Sequence, residues 1–154
     1  YLLFERFVLS YYQQHHPEYT PCSSYIEWDL WNDADRTYLS AMKTDITLSK
    51  GDKKLIIDIK FYSHTMQVNS YSIVLLLYPV IFNKYMPSQE RDKNSNGKVA
   101  GVLLYAKTDE EITPNNDFNI GGNRISLKTL DLNREWHNIT DELDKLCAWL
   151  DSDI

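Results

Sequence analysis

The chain is predicted to fold as one domain of the α/β or α+β class, because helical patterns lie at its two ends and strand patterns lie between them. Its 154 residues are about the length of one compact domain with a core of its own. The sequence contains no internal repeat and no linker-like tract long enough to separate two domains. We therefore predict a single domain over residues 1–154.

The amino-terminal segment is predicted to form an amphipathic helix over residues 1–16. Leucine and aromatic residues recur there among polar residues that include Glu5. Pro17 and Pro21 follow, and we expect them to end the helix. Because the chain starts within this helical pattern and lacks an initiator methionine, we interpret it as a piece of a longer protein.

Strand patterns follow at residues 25–31, 41–48 and 54–62. The first is an alternating segment that ends in a polar turn. The other two are apolar, and the polar loop between them, residues 49–53, contains Gly51. Apolar runs rich in β-branched residues around a short glycine-containing loop predict a β-hairpin.

The carboxyl-terminal part predicts a buried strand, a second hairpin and a helix. The strand covers residues 98–107, the hairpin covers residues 118–132 with its turn at residues 121–123, and the helix covers residues 136–150. Between the two hairpins lies an apolar stretch, residues 71–82, which is too short for a membrane span of about 20 residues. We predict a buried strand or a short core helix there, and no membrane partner.

The composition excludes some classes of function. The net charge of −6 argues against a domain that binds DNA tightly on its own, since affinity for phosphates comes largely from Lys and Arg. It does not exclude a nuclease, whose metal site is built from carboxylates. Cys22 and Cys147 show no metal-ligand spacing and are predicted to be reduced thiols of a cytoplasmic protein. His15, His16 and His137 also lack ligand spacing and are predicted to lie on the surface.

The second strand of the first hairpin carries two charged residues inside an apolar run. Side chains alternate along a strand, so Asp58 and Lys60 are expected on one face, with Ile57 and Ile59 on the other. The preceding strand contains Asp45, and the hairpin loop is expected to bring Asp45 close to Asp58. Two neighbouring carboxylates repel each other when both are ionised, and a divalent cation removes that repulsion.

These residue types suit the hydrolysis of phosphodiesters. Carboxylate oxygens hold Mg²⁺, which polarises a phosphate and lowers the pKa of an attacking water. Lys60 would orient that water or stabilise the additional negative charge on phosphorus. The pattern alone is weak, because a solvated, salt-bridged strand face has the same spacing and the turn contains another such pair, Asp52 and Lys54.

Four stretches of the sequence carry a resemblance to a known family. They are Leu3-Phe4-Glu5-Arg6-Phe7-Val8, Met42-Lys43-Thr44-Asp45-Ile46-Thr47-Leu48, Leu55-Ile56-Ile57-Asp58-Ile59-Lys60-Phe61-Tyr62 and Gly101-Val102-Leu103-Leu104-Tyr105. These stretches resemble the nuclease core of McrC, the cleavage subunit of McrBC-type 5-methylcytosine restriction systems. The resemblance covers most of residues 1–69 and 98–150.

The resemblance implies a fold and a set of residue roles. The McrC core belongs to the PD-(D/E)xK superfamily, which implies an α/β, restriction-endonuclease-like fold with a mixed central sheet, flanking helices and a site at one edge. It implies that Asp45 and Asp58 bind the metal, that Lys60 is the catalytic lysine, and that the cofactor is Mg²⁺, with Mn²⁺ as a substitute. Glu5 lies where the first helix of such nucleases contributes a further acidic residue; an exposed helix carboxylate beside Arg6 is the open alternative.

The resemblance also implies partners. DNA is the expected substrate, and a McrB-like AAA+ GTPase subunit is expected to recognise modified or specific DNA and to activate cutting. A region outside this chain is expected to make the contact with that subunit.

One segment departs from the family pattern. Residues 70–90 are largely apolar, in place of a polar stretch that leads into a helix with an Asn-Leu-Tyr-Gln-like motif. Either sequence divergence or a local frame change in the gene would explain the difference. A site damaged in this way would leave a catalytically inactive structural or interaction domain, which is the alternative function.

Overall fold

The structure is a computed structural model that describes five parts of the chain: residues 2–26, 42–61, 99–109, 113–120 and 122–153. The apolar stretch at residues 71–82, the departure at residues 70–90 and most of the strand predicted after residue 25 lie outside the described residues. The single domain over residues 1–154 stays a prediction.

Helices and strands occur in the predicted order. Helix α1 spans Leu2–His15 and helix α2 spans Trp136–Cys147, each followed by a short 3₁₀ segment, Pro17–Tyr19 and Ala148–Asp151 respectively. The strands are β1 (Tyr25–Ile26), β2 (Met42–Lys43), β3 (Ile46–Lys50), β4 (Lys53–Lys60), β5 (Val99–Ala106), β6 (Asn116–Ile120) and β7 (Asn123–Leu130). Both terminal helices, the strand β5 and the β6–β7 hairpin confirm the sequence predictions.

Five strands form a mixed sheet in the order β3-β4-β5-β7-β6. Strands β4, β5 and β7 run parallel, whereas the outer pairs β3–β4 and β6–β7 are antiparallel. Strand β5 is buried along its whole length, as expected for a parallel strand at the centre of a sheet. A mixed sheet with helices confirms the predicted α/β class and is compatible with a restriction-endonuclease-like domain.

Both helices pack on one face of this sheet. The core contains Phe4 and Val8 of α1, Leu143 of α2, and Ile57 and Ile59 of β4, and none of these side chains is more than 5% exposed. Burial of one such side chain contributes about 1.5–3 kcal/mol to the stability of the fold. This strongly favours the orientation of β4 in which Ile57 and Ile59 face the helices. Because Ile57 and Ile59 occupy the helix face, the residues that alternate with them point to the opposite face.

The first hairpin is confirmed in part. Strands β3 and β4 are joined at Gly51 and Asp52, and Gly51 adopts a φ of +58°, which glycine accepts without strain. The strand predicted over residues 41–48 is not continuous. It is broken at Thr44 and Asp45, and its first part, β2, pairs with β1 instead of β4.

The structure also tests the sequence predictions about membrane spans and cysteines. In the part of the chain that the structure describes, neither helix has the length and apolar character needed to cross a membrane. Cys22 and Cys147 are free thiols, and the first is exposed whereas the second is buried.

Candidate functional site

Asp45 lies at the bend between β2 and β3, opposite the carboxyl-terminal half of β4. The antiparallel register ends with Ile46 paired to Ile57, so the residue before Ile46 lies opposite Asp58. Beyond that pair, the Asp45 carboxylate accepts a hydrogen bond from the backbone N–H of Ile59, with 2.7 Å between Oδ2 and N. This bond fixes one carboxylate oxygen of Asp45 beside β4.

The bend is held by hydroxyl groups that the sequence analysis did not identify. Thr44 is buried; its Oγ1 accepts the N–H of Ser24 at 3.1 Å and shares a hydrogen bond with Thr47 Oγ1 at 2.9 Å. The N–H of Thr44 donates to the Ser24 carbonyl at 2.8 Å, and Ser23 Oγ donates to the Thr44 carbonyl at 2.6 Å. The segment before β1 therefore fixes the backbone that carries Asp45.

Asp58 and Lys60 lie on the face of β4 opposite to the helices, as the alternation predicts. Lys60 Nζ is 2.5 Å from Asp58 Oδ2, and the two side chains are 20% and 26% exposed respectively. The ion pair is thus mostly removed from water, which strengthens the interaction between its charges.

The surroundings of Asp58 disfavour its ionised form. Burial is the largest effect and raises the pKa of Asp58, and the neighbouring Asp45 carboxylate raises it further. The Lys60 ammonium lowers the pKa, but the net result is a raised value. The single ammonium of Lys60 is therefore not enough to bring the pKa of Asp58 back to its ordinary value, because burial and the second carboxylate both act against it. A bound cation would neutralise the remaining excess of negative charge.

Glu5 lies in the first turn of α1, and its side chain is partly buried. Within the described ranges, Glu5 does not join Asp45 and Asp58 in a group of three metal-ligating side chains with ligand atoms within 4.8 Å of one another. Of the four residues predicted for the site, the structure brings together Asp45, Asp58 and Lys60. The role of Glu5 stays a prediction.

The chemistry of this donor set fits a hard divalent cation. Mg²⁺ takes oxygen ligands, retains several of its waters and is commonly held by one or two protein carboxylates. Asp45 and Asp58 provide two such groups next to each other. The adjacent ammonium of Lys60 is suited to interact with an anionic substrate.

A separate groove of about 650 Å³ lies beside α2. Its basic lining residues are Lys107, Arg124, Lys128, Arg134 and Lys145. Four of these five cations are already ion-paired with Asp117, Asp131 or Glu142. Leu104 also lines the groove and pairs in register with Ile59, so the groove opens on the helix face, away from Asp58. We therefore do not include it in the site.

A cluster that sequence analysis missed lies where the two helices meet. His16 was expected to be a surface residue, but its side chain is only 20% exposed and its Nε2 lies 2.7 Å from Asp144 Oδ1. The hydroxyl of Tyr11 donates to the same oxygen at 2.6 Å. The surface prediction for His16 did not include this contact, because the contact joins residues at opposite ends of the chain and no local spacing encodes it.

Comparison with known proteins finds a relative among restriction enzymes. No family model matches the chain. The chain is 27% identical over 151 residues to the type IV methyl-directed restriction enzyme EcoKMcrBC of Escherichia coli K12. The match covers 92% of this chain but only 40% of that protein, so the chain spans well under half the length of this curated relative.

A solved structure has a similar fold. It is a chain in the refined half-complex from the tetradecameric assembly of Thermococcus gammatolerans McrB AAA+ hexamers with bound McrC. The match has a TM-score of 0.59 at 15% sequence identity, and it covers 95% of this chain and 32% of that chain. The structural match alone shows the fold; together, the sequence match and the structural match support a McrC-like protein.

Proposed function

We propose that this chain is the metal-dependent nuclease domain of a restriction system and hydrolyses DNA phosphodiesters at Asp45, Asp58 and Lys60. The observation that carries the proposal is the convergence of these side chains at the carboxyl-terminal end of β4. There the Asp45 carboxylate is bonded to a backbone amide of β4, and Asp58 is paired with Lys60. The similarity to a methyl-directed restriction enzyme supports the assignment.

Asp45 and Asp58 are the residues that would hold Mg²⁺, or Mn²⁺ in its place. Support comes from the raised pKa of Asp58, which reflects burial and the neighbouring carboxylate of Asp45. A partly buried site with this excess of negative charge is stabilised more by a bound divalent cation than an exposed pair of carboxylates is. When bound, such an ion polarises the phosphate and lowers the pKa of a coordinated water.

Lys60 has two tasks in this proposal. In the free protein its ammonium offsets part of the charge of Asp58. In the complex with DNA, the same ammonium lies beside the carboxylates and stabilises the negative charge that increases on the phosphate oxygens during hydrolysis. The hydrogen bond from the Ile59 N–H to Asp45 keeps one carboxylate oxygen in place throughout.

An AAA+ GTPase of the McrB type is the proposed partner. The similar fold comes from a complex described as McrB AAA+ hexamers with bound McrC. The net charge of −6 also supports a dependent nuclease, because a chain with an excess of acidic residues gains little affinity for DNA from charge alone.

The alternative is a catalytically inactive domain that serves as a scaffold in the same kind of complex. The unusual sequence at residues 70–90 is the observation in its favour. Metal binding separates the two functions, because a scaffold has no need of a cation at Asp45 and Asp58.

Calorimetric titration with Mn²⁺ tests the proposal, with the parent chain compared to Asp58→Asn. The matched control is Asp52→Asn, which removes a carboxylate from the exposed turn of the same hairpin. We expect the parent and the control to bind one more Mn²⁺ per chain than Asp58→Asn does. Equal binding by the folded parent chain and by Asp58→Asn would overturn the metal-dependent nuclease and leave the scaffold.

Cleavage assays with the AAA+ partner, GTP and DNA then test catalysis. Lys60→Met should still bind Mn²⁺ but lose about 100-fold or more in cleavage rate, the usual effect of removing a group that stabilises transition-state charge. Metal binding by the parent without any partner-dependent cleavage would overturn the proposed hydrolysis of DNA but not the proposed metal site.

A further inference from the structure

The carboxyl-terminal ends of α1 and α2 meet at three side chains with metal-binding chemistry. His16 follows the last residue of α1, whereas Asp144 and Cys147 lie three positions apart near the end of α2. That spacing puts Asp144 and Cys147 on the same face of the helix. We call these three residues the helix-end cluster. Their ligand atoms, one nitrogen, one oxygen and one sulfur, all lie within 4.8 Å of one another.

The ligand types indicate a transition-metal ion. Imidazole and thiolate are ligands of Zn²⁺ and related ions, whereas Mg²⁺ prefers oxygen. Ligand atoms lie about 2.0–2.3 Å from Zn²⁺, so two of them in a tetrahedral site are roughly 3.3–3.8 Å apart. His16 Nε2 and Asp144 Oδ1, now 2.7 Å apart, would have to separate by about 1 Å, which a small side-chain rotation allows.

Neighbouring side chains could support His16 and Asp144 as metal ligands. The other ring nitrogen of His16, Nδ1, lies 3.2 Å from Glu18 Oε1. A metal-binding histidine usually donates its second N–H to such a carboxylate, which fixes the tautomer and the ring orientation. Asp144 also has a supporting group, since the hydroxyl of Tyr11 donates to its Oδ1 at 2.6 Å.

Access and charge at the helix-end cluster favour a cation. The side chains of Asp144 and His16 are 49% and 20% exposed, so an ion can enter from solvent, whereas Cys147 is only 2% exposed and lies at the inner side. The carboxylates of Glu18 and Asp144 lie 3.2 Å and 2.7 Å from the two ring nitrogens of His16, so two negative charges lie beside the place where a cation would bind.

We propose that the helix-end cluster binds one Zn²⁺ or a similar divalent transition-metal ion and thereby links the end of α1 to the end of α2. On binding, Cys147 releases its S–H proton to solvent and its sulfur bonds to the metal, so the step needs no oxidant or reductant. The site is independent of the proposed nuclease site, whose carboxylate ligands suit a harder ion.

Titration with Co²⁺ under reducing conditions tests this proposal, because a thiolate bound to Co²⁺ gives a charge-transfer absorption that oxygen ligands do not give. We expect the band to saturate at one Co²⁺ per chain and to be reversed by added Zn²⁺. Cys147→Ser should abolish the band, whereas Cys22→Ser, which removes the exposed thiol, should retain it. Asp58→Asn should also retain it, which separates this site from the nuclease site.

A second pair of variants keeps the test decisive if Cys147→Ser does not fold. His16→Gln should abolish the thiolate-to-cobalt band, and Glu18→Gln should weaken the binding that this band reports by about 10–100-fold, as loss of a group that orients a metal ligand usually does. Zn²⁺ should raise the Tm of the parent chain but not that of His16→Gln. Absence of a thiolate-to-cobalt band in the folded parent, or its retention in His16→Gln, would overturn the proposal and leave a hydrogen-bonded cluster without a metal.

Discussion

Replacing Lys60 with methionine tests the charge balance at the candidate nuclease site, because methionine keeps most of the length of the side chain and removes its ammonium. The side chains of the Lys60–Asp58 pair are 20% and 26% exposed. This places the pair between exposed pairs, worth about 0–1 kcal/mol, and buried pairs, whose disruption costs about 3–5 kcal/mol. We therefore expect Lys60→Met to lower the free energy of unfolding of the metal-free protein by about 2 kcal/mol at neutral pH.

The same substitution at Lys50 is the matched control. Lys50 pairs with Asp151, and both side chains are about half exposed, at 52% and 49%. Because water and salt screen such a pair, Lys50→Met should lower the free energy of unfolding by less than about 1 kcal/mol. Urea unfolding of both variants in the presence of a chelator measures the difference.

The pH dependence of this difference has a defined sign. Burial, and then the neighbouring Asp45, raise the folded pKa of Asp58, so ionisation of Asp58 lowers stability as the pH rises through that pKa. Loss of the Lys60 ammonium raises the pKa further. The cost of Lys60→Met should therefore be largest at neutral pH and should shrink as the pH falls toward the ordinary range of aspartate. The charge balance proposed for Asp45, Asp58 and Lys60 would be refuted if Lys60→Met lost no more unfolding free energy than Lys50→Met. It would also be refuted if the loss did not become smaller in acid.

Three further predictions concern groups that support the fold. Thr44→Val removes the hydroxyl that holds the bend before β3, and it should lower the free energy of unfolding by about 1–3 kcal/mol and weaken Mn²⁺ binding in calorimetry. Tyr12→Phe removes a buried 2.8 Å hydrogen bond to the Leu143 carbonyl and should cost about 1 kcal/mol in urea unfolding; unchanged stability would contradict that contribution. The hydroxyl of Ser126, with two cations, lowers the pKa of Asp117 to about 2. The ionised Asp117 carboxylate therefore stabilises the fold above the ordinary pKa of aspartate, and this stabilisation is lost as the pH falls. The loss of unfolding free energy caused by Asp117→Asn should accordingly become smaller when unfolding is measured in acid.

Local sequence patterns were sufficient to predict much of the sheet and the position of Asp45 opposite Asp58 in the candidate site. Strand β5 is a continuous apolar run, and the sequence between β6 and β7 contains a glycine pair, so both the strand and the hairpin could be predicted from a few adjacent residues. The position of Asp45 opposite Asp58 also follows from local sequence, because the short loop at Gly51 fixes the register of the hairpin.

Contacts between distant parts of the chain could not be predicted in this way. The backbone and the hydroxyl of Ser24 form hydrogen bonds with Thr44 that hold the bend, and no pattern within residues 41–48 indicates such a partner. The pairing of His16 with Asp144 joins residues 128 positions apart. Both arise from how the elements pack, which a single sequence without aligned relatives does not specify.

The charges at the end of β4 also bear on the choice between nuclease and scaffold. Apolar residues of similar volume often stabilise a protein as well as a buried ion pair does, or better. A second carboxylate, Asp45, lies beside the Asp58–Lys60 pair and raises the pKa of Asp58, so this arrangement opposes the stability of the metal-free fold. A ligand that binds only the folded state raises its stability by an amount that grows with the logarithm of ligand concentration over Kd, and a divalent cation supplies the missing positive charge. The unfavourable arrangement therefore has a physical reason if the domain binds metal, and none if it serves only as a scaffold.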